Sequence, residues 1–184
     1  MENYRKVKSE MTKKVYDVLV NNNIKCFLTG GSLLGAYRDG GELPADNYPG
    51  GNFNVVADEI QKNYKKLKRD FIDLGFRPVR GSENRTFTIF VKSKIKSEKT
   101  KIQCELIGYE KNGDMYERKA KFLKVIPSEF FEKQFKKVIF LDYKYPAPHD
   151  IEKYLEWLYI EWKVKNNSTK EKNLKNSNHI RPRK

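Results

Sequence analysis

Apolar residues near the start of the chain recur at helical spacing. The intervals between them are 4, 4, 3 and 1, through Val7, Met11, Val15, Val18 and Leu19. These intervals place the side chains on one stripe of an amphipathic helix, which predicts a helix over Glu2 to Asn22. The run of three asparagines at 21–23 is expected to end that helix.

The following segments predict alternating strands and helices. Ile24 to Thr29 is an apolar run that predicts a buried strand, and Ser32 to Arg38 predicts a short helix. Phe53 to Ala57 predicts a second strand. Asp58 is expected to cap a further helix that runs through Leu74 and is closed by Gly75.

The second half of the chain carries strand patterns separated by charged turns. Apolar and polar residues alternate over Thr86 to Lys92, and Lys101 to Tyr109 is expected to pair with that strand across a charged turn. Two more strands are predicted over Lys121 to Ile126 and Val138 to Tyr143. A last helix is predicted over Asp150 to Trp162.

This order of elements predicts one α/β (or α+β) domain, with a mixed sheet flanked by helices, over residues 1–162. Residues 163–184 differ in composition, since they contain eight Lys or Arg, one Glu and almost no apolar side chains. Such a segment has too little surface to bury to offset the entropy lost on ordering. We therefore expect a basic, disordered tail.

Composition is consistent with one enclosed core. Of the 184 residues, 38% are hydrophobic and 13% aromatic, which suffices for a single domain core. No apolar run reaches the length of a membrane span, and the N-terminal residues lack a signal-peptide core, so we expect a cytoplasmic protein. Cys26 and Cys104 lie in apolar runs and are expected to be buried free thiols in a reducing compartment.

The formal net charge is +14, and the predicted tail carries half of it. The remaining positive charge suits an anionic substrate without specifying one. The tail itself has two interpretations: a solvated end, or a polybasic arm for an anionic membrane or a nucleic acid. A basic nucleic-acid-binding protein is thus an alternative function, although the chain lacks an RNA-binding pattern, a helix-turn-helix and zinc-ligand spacing.

Candidate chemistry is concentrated between Leu28 and Val56. The turn Gly30-Gly31-Ser32 opens a helix, where unpaired backbone N–H groups and the helix dipole favour a phosphate. Asn52 and Asn54 alternate with Phe53 on the next strand, so both face the same side of a sheet. Carboxylates at these positions would bind magnesium beside the phosphate, whereas this chain has amides.

The same stretch resembles the signature of the LicD/fukutin family of nucleotidyltransferase-fold phosphotransferases. That signature runs Gly-Thr/Ser-Leu-Leu-Gly-Ala-x-Arg, followed by a Gly-containing loop, a Pro and an acidic cluster ending in Asp-x-Asp. Ten residues match it in one ungapped run: Gly31, Ser32, Leu33, Leu34, Gly35, Ala36, Arg38, Gly41, Pro44 and Asp46. Beyond Asn47 the match needs an insertion, Tyr48 to Gly51, after which Asn52-Phe53-Asn54 stands where the family has Asp-x-Asp.

The C-terminal part of the chain is similar to the closing segment of the same family. There, a Pro and an aromatic residue precede a strand, and a Pro-containing turn leads into a helix ending Tyr-Gly-x-x-Trp. The matching residues are Pro127, Phe130, Phe131, Pro146, Pro148, Tyr154, Leu155, Tyr159 and Trp162. Ile160 replaces the usual Gly. The resemblance covers residues 24–162 and implies a nucleotidyltransferase-like mixed sheet.

The resemblance also implies a reaction and its cofactor. Gly30, Gly31 and Ser32 would hold the phosphates of a CDP-linked donor. Mg²⁺, or Mn²⁺ in its place, would bridge those phosphates and orient an acceptor hydroxyl. Family members transfer phosphocholine or a polyol phosphate to a glycan, so a CDP-linked donor and a glycan acceptor are the implied partners.

Three further residues have two interpretations each. Glu105 matches the third carboxylate that nucleotidyltransferase-like folds direct at the metals, or it is an ordinary solvent-facing residue. Asp46 is a ligand beside the metal, or a turn residue before Asn47. Arg38 pairs with a phosphate bidentately, or it forms a structural salt bridge at the helix end.

The amides at Asn52 and Asn54 weaken the implied metal site, because a neutral oxygen replaces a full negative charge at both positions. Three explanations are open: a natural inactive member that still binds a nucleotide or partner, an Asp-to-Asn form made to trap a complex, or a metal site rebuilt from Asp46, Asp58 and Glu105. The sequence thus predicts a LicD-like transferase with weakened activity, and a nucleotide- or partner-binding scaffold as the alternative.

Overall fold

The computed structural model describes residues 2–43, 50–80, 88–93, 102–119, 123–159, 161–165 and 180–181. Its elements in chain order are α1 (Glu2–Asn21), β1 (Cys26–Leu28), α2 (Gly30–Leu34), β2 (Asn52–Val56), α3 (Ala57–Asp73), β3 (Phe76–Arg80), β4 (Thr88–Ser93), β5 (Gln103–Asn112), β6 (Met115–Lys119), β7 (Leu123–Pro127), α4 (Glu129–Glu132), β8 (Lys136–Phe140), β9 (Tyr143–Ala147), α5 (Ile151–Leu158) and β10 (Ile180–Arg181). Helix α2 continues as a π-helical segment over Gly35–Asp39.

A mixed sheet in the order β1-β2-β5-β4-β3 forms the centre of the molecule. Strands β2 and β5 run parallel, and the other neighbours in this sheet are antiparallel. The last part of β5 pairs instead with β6, and β7 and β10 extend that antiparallel ladder. Strands β8 and β9 form a separate hairpin. The α/β class with a mixed sheet flanked by helices is confirmed.

Helices cover the two faces of the central sheet. On one face α1 places Tyr16 over Phe53 of β2, with ring centroids 6.1 Å apart. On the other face Phe27 of β1 contacts Phe131 of α4 and Tyr154 of α5, at 4.8 and 5.3 Å between centroids. Because side chains alternate along a strand, Asn52 and Asn54 face the α5 side and Phe53 faces α1.

Several strands predicted from the sequence pair with one another around the candidate site. Those predicted over Ile24 to Thr29 and Phe53 to Ala57 are antiparallel neighbours, with Leu28 opposite Phe53. Strand β4 pairs with β5, as the alternation predicted. Gly75 follows α3 with a φ of 80°, a left-handed conformation that favours glycine at a helix end.

Several local predictions are wrong. Asp58 does not cap α3, because the helix begins at Ala57 directly after β2 and Val56 occupies the cap position without a side-chain bond. The strand predicted over Val138 to Tyr143 is a hairpin, because Leu141 and Asp142 turn the chain with φ values of 48° and 71°. Asp150 caps α5 by accepting a bond from the Lys153 N–H, but the helix ends at Leu158, before Trp162.

Two glycines bring the chain back into the sheet at the start of β2. A Cβ on Gly50 would overlap the carbonyl of Gln103 in β5 and would lie 2.9 Å from Cys104 Sγ. A Cβ on Gly51 would lie 2.5 Å from Thr12 Cγ2 in α1. The end of the inserted segment therefore passes between α1 and β5 where a side chain does not fit.

Other predictions concern the cysteines, the membrane and the tail. Cys26 and Cys104 are buried free thiols, and burial raises the pKa of each to about 12. None of the helices in the described ranges has both the length and the apolar character needed to cross a bilayer. Residues 166–179 and 182–184 lie outside those ranges, so the disorder of the tail stays a prediction; Ile180–Arg181 pairs with β7.

Candidate active site

The fold brings three of the predicted site residues onto one face of two neighbouring strands. Asn52 of β2 lies opposite Glu105 of β5 in the parallel register, and Asn54 lies opposite Ile107. The glycine turn before α2 adjoins the same face, since a Cβ on Gly30 would lie 4.0 Å from Asn52 Nδ2. The sequence-predicted glycine turn, asparagine pair and glutamate thus occupy one neighbourhood.

The turn that opens α2 is fixed to β2 by backbone and hydroxyl bonds. Gly30 adopts a φ of 59°, and the Thr29 N–H donates to the Asn52 carbonyl at 2.9 Å. Ser32 is fully buried; its Oγ accepts from the Asn52 N–H at 3.2 Å and donates to the Gly50 carbonyl at 3.4 Å. Ser32 is therefore within reach of Asn52, but its hydroxyl ties the returning chain to the turn. The groups that the turn can offer a phosphate are backbone N–H groups.

Asn54 belongs to a buried network of neutral groups. Its Nδ2 donates to the Tyr154 hydroxyl of α5 at 2.8 Å, and that hydroxyl lies 2.5 Å from Thr29 Oγ1. Burial raises the pKa of Tyr154 well above its usual value, so the phenol stays neutral. The amide at this position thus connects β2 to α5, and through Tyr154 to Thr29 before α2, without any charge.

Asn52 is also buried, with 9% of its surface exposed. Its Oδ1 has no hydrogen-bond partner among the residues that the structure describes. A buried acceptor without a partner is costly, so this oxygen is a point where a donor group from a ligand would be stabilised.

Glu105 lies beside two basic side chains that sequence reasoning missed. Arg118 of β6 places Nη2 3.6 Å from Glu105 Oε1, and Lys124 of β7 lies opposite Arg118 in the antiparallel register. Burial raises the pKa of Glu105, while the charges of Arg118 and Lys124 act to lower it. The stretch from Arg118 to Lys124 contains four basic residues, and nothing in its pattern separates these two from surface lysines.

Arg38 has the structural role that was one of its two interpretations. Its Nε and Nη2 donate to Asp39 Oδ2 at 3.1 and 2.8 Å, and its Nη1 donates to the carbonyls of Trp162 and Val164. Lys165 Nζ lies 2.9 Å from the other Asp39 oxygen. The guanidinium therefore joins the end of the α2 segment to the chain after α5, and its pairing with a phosphate stays a prediction.

The residues at this site do not fit a magnesium ion. Asn52 and Asn54 are neutral, the Asn54 amide is bonded to Tyr154, and Glu105 already faces Arg118. Across the described ranges no three His, Cys, Asp or Glu side chains are grouped so as to hold a metal ion. Asp58 is an exposed residue of the first turn of α3. Asp46, the remaining candidate for a rebuilt site, lies outside the described residues.

A cavity lies at the start of α5, and none of the asparagine–glutamate site residues lines it. It has a volume of about 340 Å³ and is lined by Tyr37, Lys136, His149, Asp150, Ile151 and Glu152. Within it the Tyr37 hydroxyl donates to Glu152 at 3.0 Å. His149 belongs to the turn that enters α5.

Comparison with known proteins gives a family match and a structural similarity. The family model described as LicD/FKTN/FKRP, nucleotidyltransferase domain, matches residues 23–150. The crystal structure of ANT(2")-Ia in complex with adenylyl-2"-tobramycin superposes with a TM-score of 0.49 at 12% sequence identity, over 86% of this chain and 78% of that chain. A search of curated proteins gave no match.

Proposed function

This chain belongs to the LicD/FKTN/FKRP family of nucleotidyltransferase domains, and on that premise we propose that it binds a CDP-linked donor at the Gly30–Ser32 turn. The reaction of this family type would be transfer of phosphocholine or a polyol phosphate from that donor to a glycan. We further propose that Mg²⁺-dependent transfer by this chain is weak or absent. The observation that carries the proposal of weak transfer is the pair of buried, neutral amides beside Glu105.

Donor binding is supported by the geometry of the turn. The first N–H groups of a helix have no partner within the helix, and they form an anion site together with the helix dipole. The left-handed Gly30 and the bond from Thr29 N–H to the Asn52 carbonyl hold the turn next to the asparagine face. A phosphate at the turn would therefore lie beside Asn52 and Glu105.

Weak metal binding follows from charge. Mg²⁺ prefers anionic oxygen ligands, and two carboxylates at contact distance contribute most of the attraction in a site of this type. Replacing both with amides costs several kcal/mol of metal affinity, on the order of a thousandfold. The bond from Asn54 to Tyr154 adds to this cost, because the amide would have to leave a buried partner to turn toward a metal.

Calorimetry and a transfer assay test the proposal together. The unmodified chain should bind CDP and CDP-choline with little change on adding Mg²⁺, and it should give little or no transferred product by mass spectrometry. A double variant, Asn52→Asp with Asn54→Asp, should bind Mg²⁺ more tightly by orders of magnitude and gain donor hydrolysis or transfer. Glu105→Gln in that background should lower the gained activity again.

The matched control is Asn21→Asp with Asn23→Asp, which adds the same two charges at exposed positions at the end of α1. It should leave Mg²⁺ binding unchanged. Robust Mg²⁺-dependent transfer by the unmodified chain would show that the alignment through the insertion is wrong. The catalytic carboxylates would then lie among Asp39, Asp46, Asp58 and Glu105. Failure of every CDP conjugate to bind would reject the donor site itself.

A further inference from the structure

We propose that Arg118 and Lys124 form a metal-independent anion site beside Glu105, and that this site holds the diphosphate of the donor in place of a metal ion. The inference rests on the proposed function for the identity of the ligand. It assigns a binding role to two residues of β6 and β7 that lie outside the Gly30–Ser32 turn.

The strand registers place the two basic residues on the face that carries the asparagines. Residues directly opposite each other on neighbouring strands share a face. Asn52 is opposite Glu105, Arg118 is opposite Lys124, and Arg118 reaches Glu105 at 3.6 Å. A continuous polar strip therefore runs from β2 across β5 to β6 and β7.

The strip has more positive than negative charge. Arg118 and Lys124 face one carboxylate, and the side chains of Arg118 and Glu105 are each only 17% exposed. Burial lowers the pKa of Lys124, and the charge of Arg118 lowers it further. Two partly buried cations beside a single carboxylate favour the arrival of a further anion.

Unpartnered polar atoms support a ligand at the same place. Arg118 Nε is buried without a hydrogen-bond partner in the described part of the chain, and the same holds for Asn52 Oδ1. A guanidinium binds phosphate oxygens through paired N–H groups. The asparagine oxygen would accept a hydrogen bond from a hydroxyl group of the CDP-linked donor. Both atoms are thus satisfied by a phosphorylated ligand that also carries hydroxyl groups.

Fixed cations account for the neutral residues at 52 and 54. A metal ion needs anionic protein ligands, but a guanidinium and an ammonium are attached to the chain and need none. An aspartate at 52 would lie one strand away from Glu105 and would offset the charge of Arg118. The amides therefore leave the positive charge free to attract the donor.

The test is calorimetric titration of the full chain with inorganic pyrophosphate and with CDP, both in excess EDTA. The unmodified chain should bind both ligands without a metal. Arg118→Gln and Lys124→Met should each weaken binding of both ligands at least tenfold, and Asn52→Asp should weaken it in EDTA as well. Lys124→Arg, which retains the charge, should remain within about threefold of the unmodified chain.

Lys65→Met is the matched control, because Lys65 is an exposed residue of α3 and its loss changes the net charge equally. It should bind both ligands within twofold of the unmodified chain. Circular dichroism of each variant checks that it is folded. If Arg118→Gln perturbs the fold, Lys124→Met and Asn52→Asp decide the question.

The outcomes separate this inference from the proposed function. Binding that needs Mg²⁺, or that is unchanged in folded Lys124→Met and Asn52→Asp variants, overturns the anion site while leaving CDP binding intact. Pyrophosphate binding that depends on Lys124 and Arg118, with CDP bound no more tightly than pyrophosphate, supports the anion site and rejects the nucleotide-linked donor.

Discussion

Single residues decide the charge of the candidate site. Asn52 and Asn54 are neutral, and Arg118 and Lys124 add two positive charges beside Glu105. The polar strip is therefore suited to anions and poorly suited to Mg²⁺. The Asn54 amide donates to the Tyr154 hydroxyl, so this neutral side chain is part of a buried hydrogen-bond network.

At the residue scale, replacing Arg38 separates a structural role from a phosphate-binding role. Arg38→Met removes the bonds to Asp39, Trp162 and Val164 and leaves two backbone carbonyls and a largely buried carboxylate with fewer donors. We expect a loss of about 3 kcal/mol in the free energy of unfolding, measured by urea denaturation. CDP affinity of the folded variant should change less than twofold.

Arg5→Met is the control for that variant, because Arg5 forms an exposed ion pair with Asp142 at 2.9 Å. It should cost less than about 1 kcal/mol. A folded Arg38→Met protein with normal stability and a tenfold loss of CDP binding would reverse the assignment and place Arg38 at the donor.

The Arg38 variant should also change the pH dependence of stability. Burial acts to raise the pKa of Asp39, but the hydrogen bonds and charges of Arg38 and Lys165 outweigh it, so the pKa lies below 3.8. A carboxyl with a lowered pKa contributes stability above its unfolded pKa and loses it as pH falls through its folded pKa. The free energy of unfolding should therefore fall less between about pH 5 and pH 3 in Arg38→Met.

At the scale of elements, the connection into β2 depends on a close approach between backbones. Gly50→Ala would place a Cβ against the Gln103 carbonyl of β5, and neither backbone can move without disturbing the sheet. We expect a loss of about 2 kcal/mol or more in the free energy of unfolding, measured by chemical denaturation. Because β2 carries the asparagines, CDP binding should weaken in the same variant.

Gly41→Ala provides the comparison within the same loop. A Cβ at Gly41 meets nothing within 4 Å, so this substitution should be neutral or stabilise slightly by restricting the unfolded chain. Equal stability of the Gly50 and Gly41 variants would show that the start of β2 does not pass against β5 as described.

At the scale of the whole molecule, the basic tail should be separable from the domain after Lys165. Deleting residues 166–184 removes a segment with few apolar side chains, whose described part is a two-residue pairing on β7. The melting temperature should fall by only a few degrees, measured by circular dichroism. Deleting residues 164–184 should cost more, because Val164 and Lys165 contact Arg38 and Asp39.

Binding of the shorter deletion to anionic vesicles and to RNA tests the two interpretations of the tail. Loss of such binding with stability intact would support a polybasic arm. Unchanged binding would support a solvated end. A large loss of melting temperature on deleting 166–184 would contradict both, since it would require the tail to pack on the domain.

Local patterns in the sequence determined much of the fold. Helical spacing from Val7 to Leu19 predicted α1, and two short apolar runs predicted the strands at 24–29 and 53–57. These predictions hold because side-chain periodicity reports which face of an element is buried. The hairpin of β8 and β9 was missed because its turn uses Leu141 and Asp142 in left-handed conformations, for which neither residue is a usual signal.

At the candidate site, too, some features were predicted from the sequence and others were found only in the tertiary structure. The sequence by itself determined the glycine turn and the asparagine alternation, because these depend on residue type and period, whereas Glu105 became a candidate only through the family resemblance. Only the tertiary structure decided that Tyr154 holds Asn54, that Arg38 binds the chain after α5, and that Arg118 lies between Glu105 and Lys124. Those contacts join residues that are far apart in the chain or that lie on neighbouring strands. Which charges meet depends on strand pairing and register, and these are set when the strands bury their apolar faces together.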